Sequence, residues 1–327
     1  MKRFQKAASL ALALTLSALF FGCQQPSNAP LTLTDQAGRL VTLEKDPESI
    51  VSGYYISTSM LLALGEKDHL VGIESKAETR SIYSLAGLDL SIGGYGTKKA
   101  FETEKAALLR PDLIVLPYSL KNTADEVSAV TGAPVLVVNP ESDSLMREAL
   151  TLLAQATGAT KRAEELTDYI DGALSDLQQQ VDSSLPTVYL AGSELLRTAG
   201  QKMYQHTLIE NAKAKNAAAS LEDSAWTNIS YETLLSYRPD FLILSSECAL
   251  SVEEVKNDKN LASLSAVAEG KVYKMPASYE AWDSPVPGAF LGSLWLASVC
   301  HTGYSALEFE RTTQEFYQIF YGIVANK

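Results

Sequence analysis

The chain has 327 residues, of which 46% are apolar and 20% charged, and its formal net charge at pH 7 is −12. This length is enough for two domains with separate cores, and the composition is that of an ordinary globular protein, which excludes a disordered chain. The acidic excess also argues against binding to nucleic acid, because contacts to phosphate need a basic surface.

The start of the chain has the features of an export and anchoring signal. A basic n-region precedes an apolar run over 7–21, which is too short for a comfortable transmembrane helix, and Cys23 follows directly behind a glycine. That ending resembles a bacterial lipobox, in which the cysteine becomes the lipidated first residue. We therefore expect a signal peptide over 1–22, lipidation of Cys23, a tether over 23–30 and an extracytoplasmic location at the membrane. A plain secretory signal with a nearby cysteine is the alternative.

Strands and helices alternate through the next part of the chain. Short apolar runs behind amphipathic segments are typical of strands that are buried on both faces of a parallel sheet. A glycine-containing turn indicates that the first two strands form a hairpin. The predicted elements are a hairpin at 31–43, strands at 49–52, 70–73, 113–116 and 134–138, and helices at 58–64, 102–109 and 121–131.

Two long helical patterns then interrupt the alternation. The second, over 161–182, carries one apolar stripe, would span about 30 Å and lacks the Gly, Ser and Pro content of a flexible linker. We expect it to be a rigid helix between an N-terminal lobe (31–158) and a C-terminal lobe (185–327), with 159–184 as the interlobe segment. The remaining predicted elements are a helix at 142–157, strands at 187–191, 241–244 and 271–275, and helices at 203–213, 230–237, 251–267, 288–300 and 305–320.

Two segments of nearly the same pattern occur 128 positions apart. Residues 104–112 run from a glutamate to Arg-Pro-Asp and lead into the apolar run 113–116, and residues 232–240 do the same before 241–244. Proline ends a helix because it has no N–H to donate. One such unit in each half predicts two similar α/β lobes that face each other and hold a ligand between them.

The order and spacing of several segments carry a family resemblance over nearly all of 31–322. The hairpin segment 35–41, the helix and strand at 61–72, the two Arg-Pro-Asp units and the segment 281–297 together resemble the substrate-binding proteins of ABC importers. The resemblance is to the group that binds iron-siderophores, heme and vitamin B12. It implies an α/β fold of two Rossmann-like lobes with mostly parallel sheets, joined by one long rigid helix, with a ligand cleft between them. It also implies a metal-chelate or corrinoid ligand and an ABC permease dimer with its ATPase as partners.

The predicted strand ends carry the candidate ligand-binding residues. Ligands of open α/β sheets bind beyond the carboxyl ends of the strands. The rings there suit a large, partly flat and partly apolar ligand, and Arg197 suits an anionic ligand group. Arg80 is a second, weaker candidate for that anionic group. The candidates are Tyr54, Tyr55, Tyr95, Tyr118, Arg197, Trp226, Glu247 and Trp282.

Glu104 and Glu232 open the two duplicated helices, behind Thr103 and Ser230 as expected N-caps. A first-turn carboxylate is also explained by its favourable interaction with the helix dipole. The resemblance implies more, since matching glutamates in that family, one on each lobe, pair with arginines of the two permease subunits. We therefore expect these two residues to dock the protein on its permease.

Neither a catalytic motif nor a cluster of metal ligands is visible, so we expect no enzyme activity, no bare metal site and no cofactor. The remaining cysteines, Cys248 and Cys300, are too few for a disulfide scaffold, and we expect free thiols. Three alternatives remain: capture of an oxyanion such as molybdate or tungstate, a sensor lipoprotein that binds without transport, and an enzyme built on the same two-lobe plan.

Overall fold

The computed structural model describes residues 30–222 and 225–324, so the predicted signal peptide, Cys23 and nearly all of the tether lie outside the described residues. Strands and helices are named in chain order. The strands are β1 (Leu31–Thr34), β2 (Leu40–Leu43), β3 (Ile50–Ser52), β4 (Leu70–Gly72), β5 (Leu113–Pro117), β6 (Val135–Val138), β7 (Thr187–Ala191), β8 (Arg197–Thr198), β9 (Lys215–Asn216), β10 (Thr227–Asn228), β11 (Phe241–Leu244) and β12 (Val272–Lys274). The helices are α1 (Tyr55–Ala63), α2 (Ser81–Leu85), α3 (Thr103–Ala107), α4 (Ala124–Thr131), α5 (Asp143–Thr157), α6 (Thr160–Gln180), α7 (Tyr204–Asn211), α8 (Tyr231–Tyr237), α9 (Val252–Lys256), α10 (Ser265–Ala268), α11 (Phe290–Cys300) and α12 (Ala306–Tyr321).

The N-terminal half forms a four-stranded sheet in the order β4-β3-β5-β6, with every pair parallel. All residues of the two inner strands β3 and β5 are buried, as expected for a sheet covered by helices on both faces. The hairpin β1–β2 pairs separately as an antiparallel ladder. This arrangement confirms the predicted α/β lobe at the N-terminal side.

The C-terminal half forms a second sheet in the order β10-β8-β7-β11-β12, with β9 paired to β7. The pairs of β7, β9, β11 and β12 are parallel, whereas β8 and β10 run antiparallel to their neighbours. The second sheet is therefore mostly parallel, as predicted. The small antiparallel part positions two candidate ligand-binding residues. Arg197 is the first residue of β8, and Trp226 directly precedes β10.

The duplicated Arg-Pro-Asp segments do the same structural work in the two sheets. The Asp112 carboxylate accepts hydrogen bonds from the backbone N–H and the hydroxyl of Ser49, just before β3. The Asp240 carboxylate accepts one from the backbone N–H of Thr187, at the start of β7. Arg110 and Arg238 both adopt positive φ angles, of 50° and 46°. The repeated pattern thus places a left-handed arginine at or shortly after the end of a helix and fixes the start of the neighbouring strand.

Helix α6 joins the two halves and buries the apolar stripe predicted for it. Leu166, Ile170 and Leu177 on this helix are buried. The helix packs against α5 on the N-terminal side and α11 on the C-terminal side. Its 21 residues correspond to a length of about 30 Å. One long helix therefore connects two lobes, as expected.

The C-terminal helix α12 returns to the N-terminal lobe and packs against α1. The carboxyl group of Glu280 is buried at this junction, where it accepts hydrogen bonds from the hydroxyls of Ser59, Tyr317 and Tyr321. Ser59 belongs to α1 and both tyrosines to α12, so a buried acid of the C-terminal half ties the lobes together behind the cleft.

Candidate functional site

A cavity of about 290 Å³ lies between the two lobes, at the carboxyl ends of their parallel strands. Its walls come from the loops that follow strands and from the N-terminal ends of α1 and α7. This is the position where open α/β sheets bind ligands. The charged and aromatic side chains that line it are Tyr55, Arg80, Lys98 and Glu141 from the N-terminal lobe, and Arg197, Tyr204, Trp226, Glu247 and Asp283 from the C-terminal lobe.

Arg80 and Tyr55 form one wall of the cavity. The Arg80 guanidinium lies 4.2 Å from the centre of the Tyr55 ring, and the Tyr55 hydroxyl donates a hydrogen bond of 3.2 Å to the hydroxyl of Ser284. Burial raises the pKa of Tyr55 to about 12, so the phenol is neutral at physiological pH. Since Ser284 belongs to the C-terminal side, this hydrogen bond crosses the cleft.

Two of the three cations in the cavity have an acidic partner. Arg80 lies 3.7 Å from Glu247, and Lys98 lies 3.4 Å from Glu141. The guanidinium of Arg197 has neither a hydrogen-bond partner nor an ion pair among the described residues, although it lines the same cavity. Arg197 is therefore the cation of this cavity that is free to bind an anionic group.

The indole of Trp226 packs closely against the backbone of Gly192, the residue that directly follows β7. A Cβ atom built on Gly192 would lie 2.6 Å from Cζ3 of the indole, a distance that real carbon contacts do not reach. Glycine is thus required for the ring to take this position. The indole forms an apolar wall of the cavity beside the charged groups.

Asp283 and Gln205 were not among the predicted site residues, yet both line the cavity. Only 7% of Asp283 and 4% of Gln205 is exposed. Burial raises the pKa of the Asp283 carboxyl to about 6, and the nearby charge of Glu247 acts in the same direction. Asp283 Oδ1 and Gln205 Oε1 have no hydrogen-bond partner among the described residues. The cavity therefore contains two buried acceptor atoms that the protein leaves unpaired.

Of the predicted ligand residues, Tyr55, Arg197, Trp226 and Glu247 line the main cavity. Tyr54 and Tyr118 lie elsewhere, in a separate cavity of about 190 Å³ that adjoins the first at Lys98 and Glu141. The Tyr54 hydroxyl is buried there and lies close to Glu141, although no hydrogen bond to it is formed among the described residues. The Tyr118 hydroxyl accepts a hydrogen bond of 2.7 Å from Lys121.

Tyr95 and Trp282 do not line the main cavity, because both are packed into cores. Tyr95 belongs to the apolar cluster of the N-terminal lobe, and its ring is covered by the Lys105 ammonium at 4.1 Å from the ring centre. Trp282 is 2% exposed, and its indole N–H donates a hydrogen bond of 2.8 Å to the hydroxyl of Tyr317. Tyr95 lies well beyond the end of β4, with α2 between them, and both rings contribute to apolar cores rather than to the cavity.

The two candidate docking glutamates are exposed in the first turns of α3 and α8. Ser230 caps α8 as predicted, since its hydroxyl accepts a hydrogen bond from the backbone N–H of Thr233. Hydrogen bonding to Ser230 lowers the pKa of Glu232. The cap predicted for α3 is wrong: Thr103 is the first helical residue, and Glu102 occupies the N-cap position without a side-chain hydrogen bond.

Metal ligands, cysteines and membrane-spanning helices were also considered in the sequence analysis. Across 30–222 and 225–324, no group of three or more His, Cys, Asp or Glu side chains is placed to hold a metal ion. Cys248 and Cys300 are free thiols. Within the part of the chain that the structure describes, no helix has the length and apolar character needed to cross a membrane.

Residues 50–279 match the periplasmic binding protein family. The chain belongs to this family. The matched range includes both parallel sheets and most of the residues that line the main cavity. The resemblance to ABC importer substrate-binding proteins that was seen in the sequence is confirmed. The two-lobe α/β fold predicted from the sequence is confirmed as well.

Individual relatives of the chain include one with no named ligand and one that binds molybdate. It is 23% identical over 296 residues to the uncharacterized ABC transporter substrate-binding lipoprotein YvrC of Bacillus subtilis, covering 82% of this chain and 90% of that protein. It is 23% identical over 349 residues to the molybdate-binding protein MolA of Haemophilus influenzae, with 97% of each chain covered. The solved structure of MolA bound to molybdate superimposes with a TM-score of 0.78 at 20% identity, covering 90% of this chain and 99% of that one. The relatives are thus solute-binding proteins rather than enzymes.

Proposed function

We propose that this periplasmic binding protein captures a compact metal chelate that carries carboxylate or other oxyanion groups, outside the cytoplasm, and delivers it to an ABC permease. The observation that carries the proposal is the unpaired guanidinium of Arg197, which lines the interlobe cavity together with the ring of Tyr55 and the indole of Trp226. A forked cation suits carboxylate and other oxyanion groups of a chelator, and the rings suit its apolar edges.

The size and polarity of the cavity favour small chelates within the iron-siderophore, heme and cobalamin group. A volume of about 290 Å³ is at the lower end of the range of roughly 300–1,000 Å³ found for ligand sites. Macrocycles as large as heme or cobalamin would require the lobes to part and the contact between Tyr55 and Ser284 to break. A ferric complex of a small siderophore or hydroxycarboxylate fits with smaller changes. So does nickel–histidine, the complex named for a solved structure of Helicobacter pylori CeuE, which superimposes with a TM-score of 0.75 at 18% identity and covers 91% of this chain and 97% of that one.

Capture of an oxyanion such as molybdate or tungstate is the second candidate. It is supported by the likeness to the molybdate-binding protein MolA over 97% of both chains. A free arginine in a small polar cavity also suits a tetrahedral oxyanion. The aromatic side chains at the same cavity are better explained by a chelate with apolar edges.

The remaining parts of the proposal concern anchoring and delivery. Lipidation at Cys23 would hold the protein at the membrane, in line with the name of YvrC as a lipoprotein. Glu104 and Glu232, exposed at the equivalent ends of α3 and α8, would pair with cations on the two permease subunits. A sensor lipoprotein would share the first feature but would not need the second.

A fluorescence titration tests the cargo class. Trp226 lines the cavity, so a bound chelate should quench its emission, whereas Trp282 and Trp295 are buried and act as an internal reference. We expect quenching by ferric citrate or nickel–histidine at micromolar concentrations and none by cobalamin, with the response lost in Arg197→Ala. Equal responses of wild type and Arg197→Ala to every ligand would contradict the proposal.

A further inference from the structure

The main cavity contains an unusual pair of buried acceptors. The side-chain amide of Gln205 donates a hydrogen bond of 2.6 Å to the backbone carbonyl of Asp283, which fixes the orientation of the amide and leaves its oxygen free. The Gln205 oxygen and one carboxylate oxygen of Asp283 are both buried and both lack a partner among the described residues. The two side chains are therefore held next to each other with their acceptors unused.

Buried acceptors of this kind destabilise the fold unless a donor is supplied. An unpaired buried polar group destabilises a fold, and most buried polar groups in native proteins are paired. An ionised carboxylate oxygen and an amide oxygen accept hydrogen bonds and cannot donate them. Each of these two atoms therefore needs a donor from another group. Both residues line a cavity that a ligand can enter, so a ligand can supply the missing donors.

The charged neighbours of Asp283 do not supply these donors. Glu247 is an acid, and burial is the main cause of the raised pKa values of the Tyr55 and Tyr204 phenols. The Tyr55 hydroxyl is already donated to Ser284. No ion pair joins Asp283 to Arg80, Lys98 or Arg197. The Ser246 hydroxyl lies close enough to the Asp283 carboxyl to lower its pKa, and its single proton can engage one of the two carboxylate oxygens. The other carboxylate oxygen and the Gln205 oxygen stay available in the cavity that Arg197 also lines.

We propose that Asp283 and Gln205 form an acceptor subsite that binds hydroxyl or amine N–H donors on the captured anion. This inference rests on the function proposed above and narrows its substrate class. The cargo would carry an acidic group for Arg197 and, on the same molecule, donors for Asp283 and Gln205. Chelates built from amino acids or hydroxylated acids have both groups, whereas a fully ionised molybdate has acceptor oxygens only and would face Asp283 with like charge.

Isothermal titration calorimetry at pH 8 tests the subsite with two probes. Nickel–histidine has carboxylates and amine N–H donors, and molybdate has no donor at this pH. We expect wild-type protein to bind nickel–histidine about tenfold or more tightly than molybdate. Asp283→Asn should weaken nickel–histidine binding by about tenfold while changing molybdate binding by less than about twofold or improving it. Gln205→Met, which removes the acceptor at similar size, should act in the same direction.

Two further variants separate the possible results. Asp46→Asn, an exposed aspartate outside the cavity, should bind both probes like the wild type. Weakening of nickel–histidine by Arg197→Ala but not by Asp283→Asn or Gln205→Met would overturn the subsite and leave the proposed function standing. Tighter binding of molybdate than of nickel–histidine would also overturn it. Binding of neither probe at millimolar concentration would count against the proposed cargo class itself.

Discussion

The guanidinium of Arg80 and the carboxylate of Glu247 are 3.7 Å apart across the cleft, with one residue in each lobe. The pair separates the main cavity from a side cavity of about 150 Å³ that both residues also line. About 65% of the Glu247 side chain is exposed, so solvent screens the attraction and its net contribution to stability is about 0–1 kcal/mol. The pair is therefore weak enough for an anionic ligand to compete with Glu247 for Arg80.

Replacing Glu247 by Gln should strengthen anion binding. The change frees Arg80, so the dissociation constant for a bound anionic chelate should fall by about three- to tenfold, while the free energy of unfolding changes by less than about 1 kcal/mol. Calorimetry and urea denaturation measure the two quantities. Glu253→Gln, which removes an exposed ion pair to Lys256 outside the cavity, is the matched control. Weaker binding in Glu247→Gln would mean that Glu247 itself contacts the ligand.

Gly192→Ala should displace the Trp226 indole. The added Cβ would lie 2.6 Å from the ring, so the ring must move and one wall of the cavity changes. We expect an altered tryptophan emission spectrum and a loss of ligand affinity of about tenfold. Gly172→Ala is the control, because a Cβ at this position of α6 meets nothing within 4 Å. That variant should gain up to about 1 kcal/mol in stability from helix propensity and bind normally. An unchanged spectrum in Gly192→Ala would contradict the packing described here.

The double variant Glu104→Ala, Glu232→Ala should bind ligand normally and fail in transport. Exposed charges at an interface act mainly on orientation and on the rate of association, so losing both should slow docking on the permease. Uptake of labelled ligand in cells carrying the transporter measures the effect. Glu126→Ala with Glu253→Ala is a matched control, since these are exposed first-turn acids of other helices, one in each lobe. Wild-type uptake by the Glu104 and Glu232 double variant would remove the docking role.

Glu280 should make stability fall as the pH rises. Burial raises the pKa of the Glu280 carboxyl from its usual value of 4.5 to about 7. As the pH rises, the unfolded chain therefore loses this proton at a lower pH than the folded protein does. Stability from this group is fully present below pH 4.5 and is lost as the pH rises to about 7, by on the order of 3 kcal/mol. The difference in unfolding free energy between wild type and Glu280→Gln should follow this course. A difference that does not vary between pH 4.5 and 7.5 would show that Glu280 is not buried as described.

The lobes, their parallel strands and the long helix α6 follow from local sequence patterns. Apolar runs and Arg-Pro-Asp segments report directly on strands and helix ends, and the stripe on α6 predicts which face is buried. The domain boundaries remain a prediction. The packing of α12 against α1 joins segments about 260 residues apart, for example Tyr321 with Ser59, and has no local signal.

The site was predicted less completely, and for physical reasons. The strand-end rule finds Tyr55, Arg197 and Glu247, whereas Trp226 is selected by its position just before the second glutamate helix. The same rule also selects Trp282, although that ring turns inward to the hydroxyl of Tyr317. Asp283 and Gln205 carry no sequence signal, because their burial arises only when three distant segments meet. Their unpaired atoms are visible only in the folded structure.

The central claim is that Arg197 holds a carboxylate or other oxyanion group of a metal chelate between the two lobes. A crystal structure of the protein grown with nickel–histidine tests it most directly. The account predicts density for the complex in the interlobe cavity, with a carboxylate within hydrogen-bonding distance of the Arg197 guanidinium. Well-ordered density for the complex at another surface, with Arg197 free in an empty cavity, would contradict the claim.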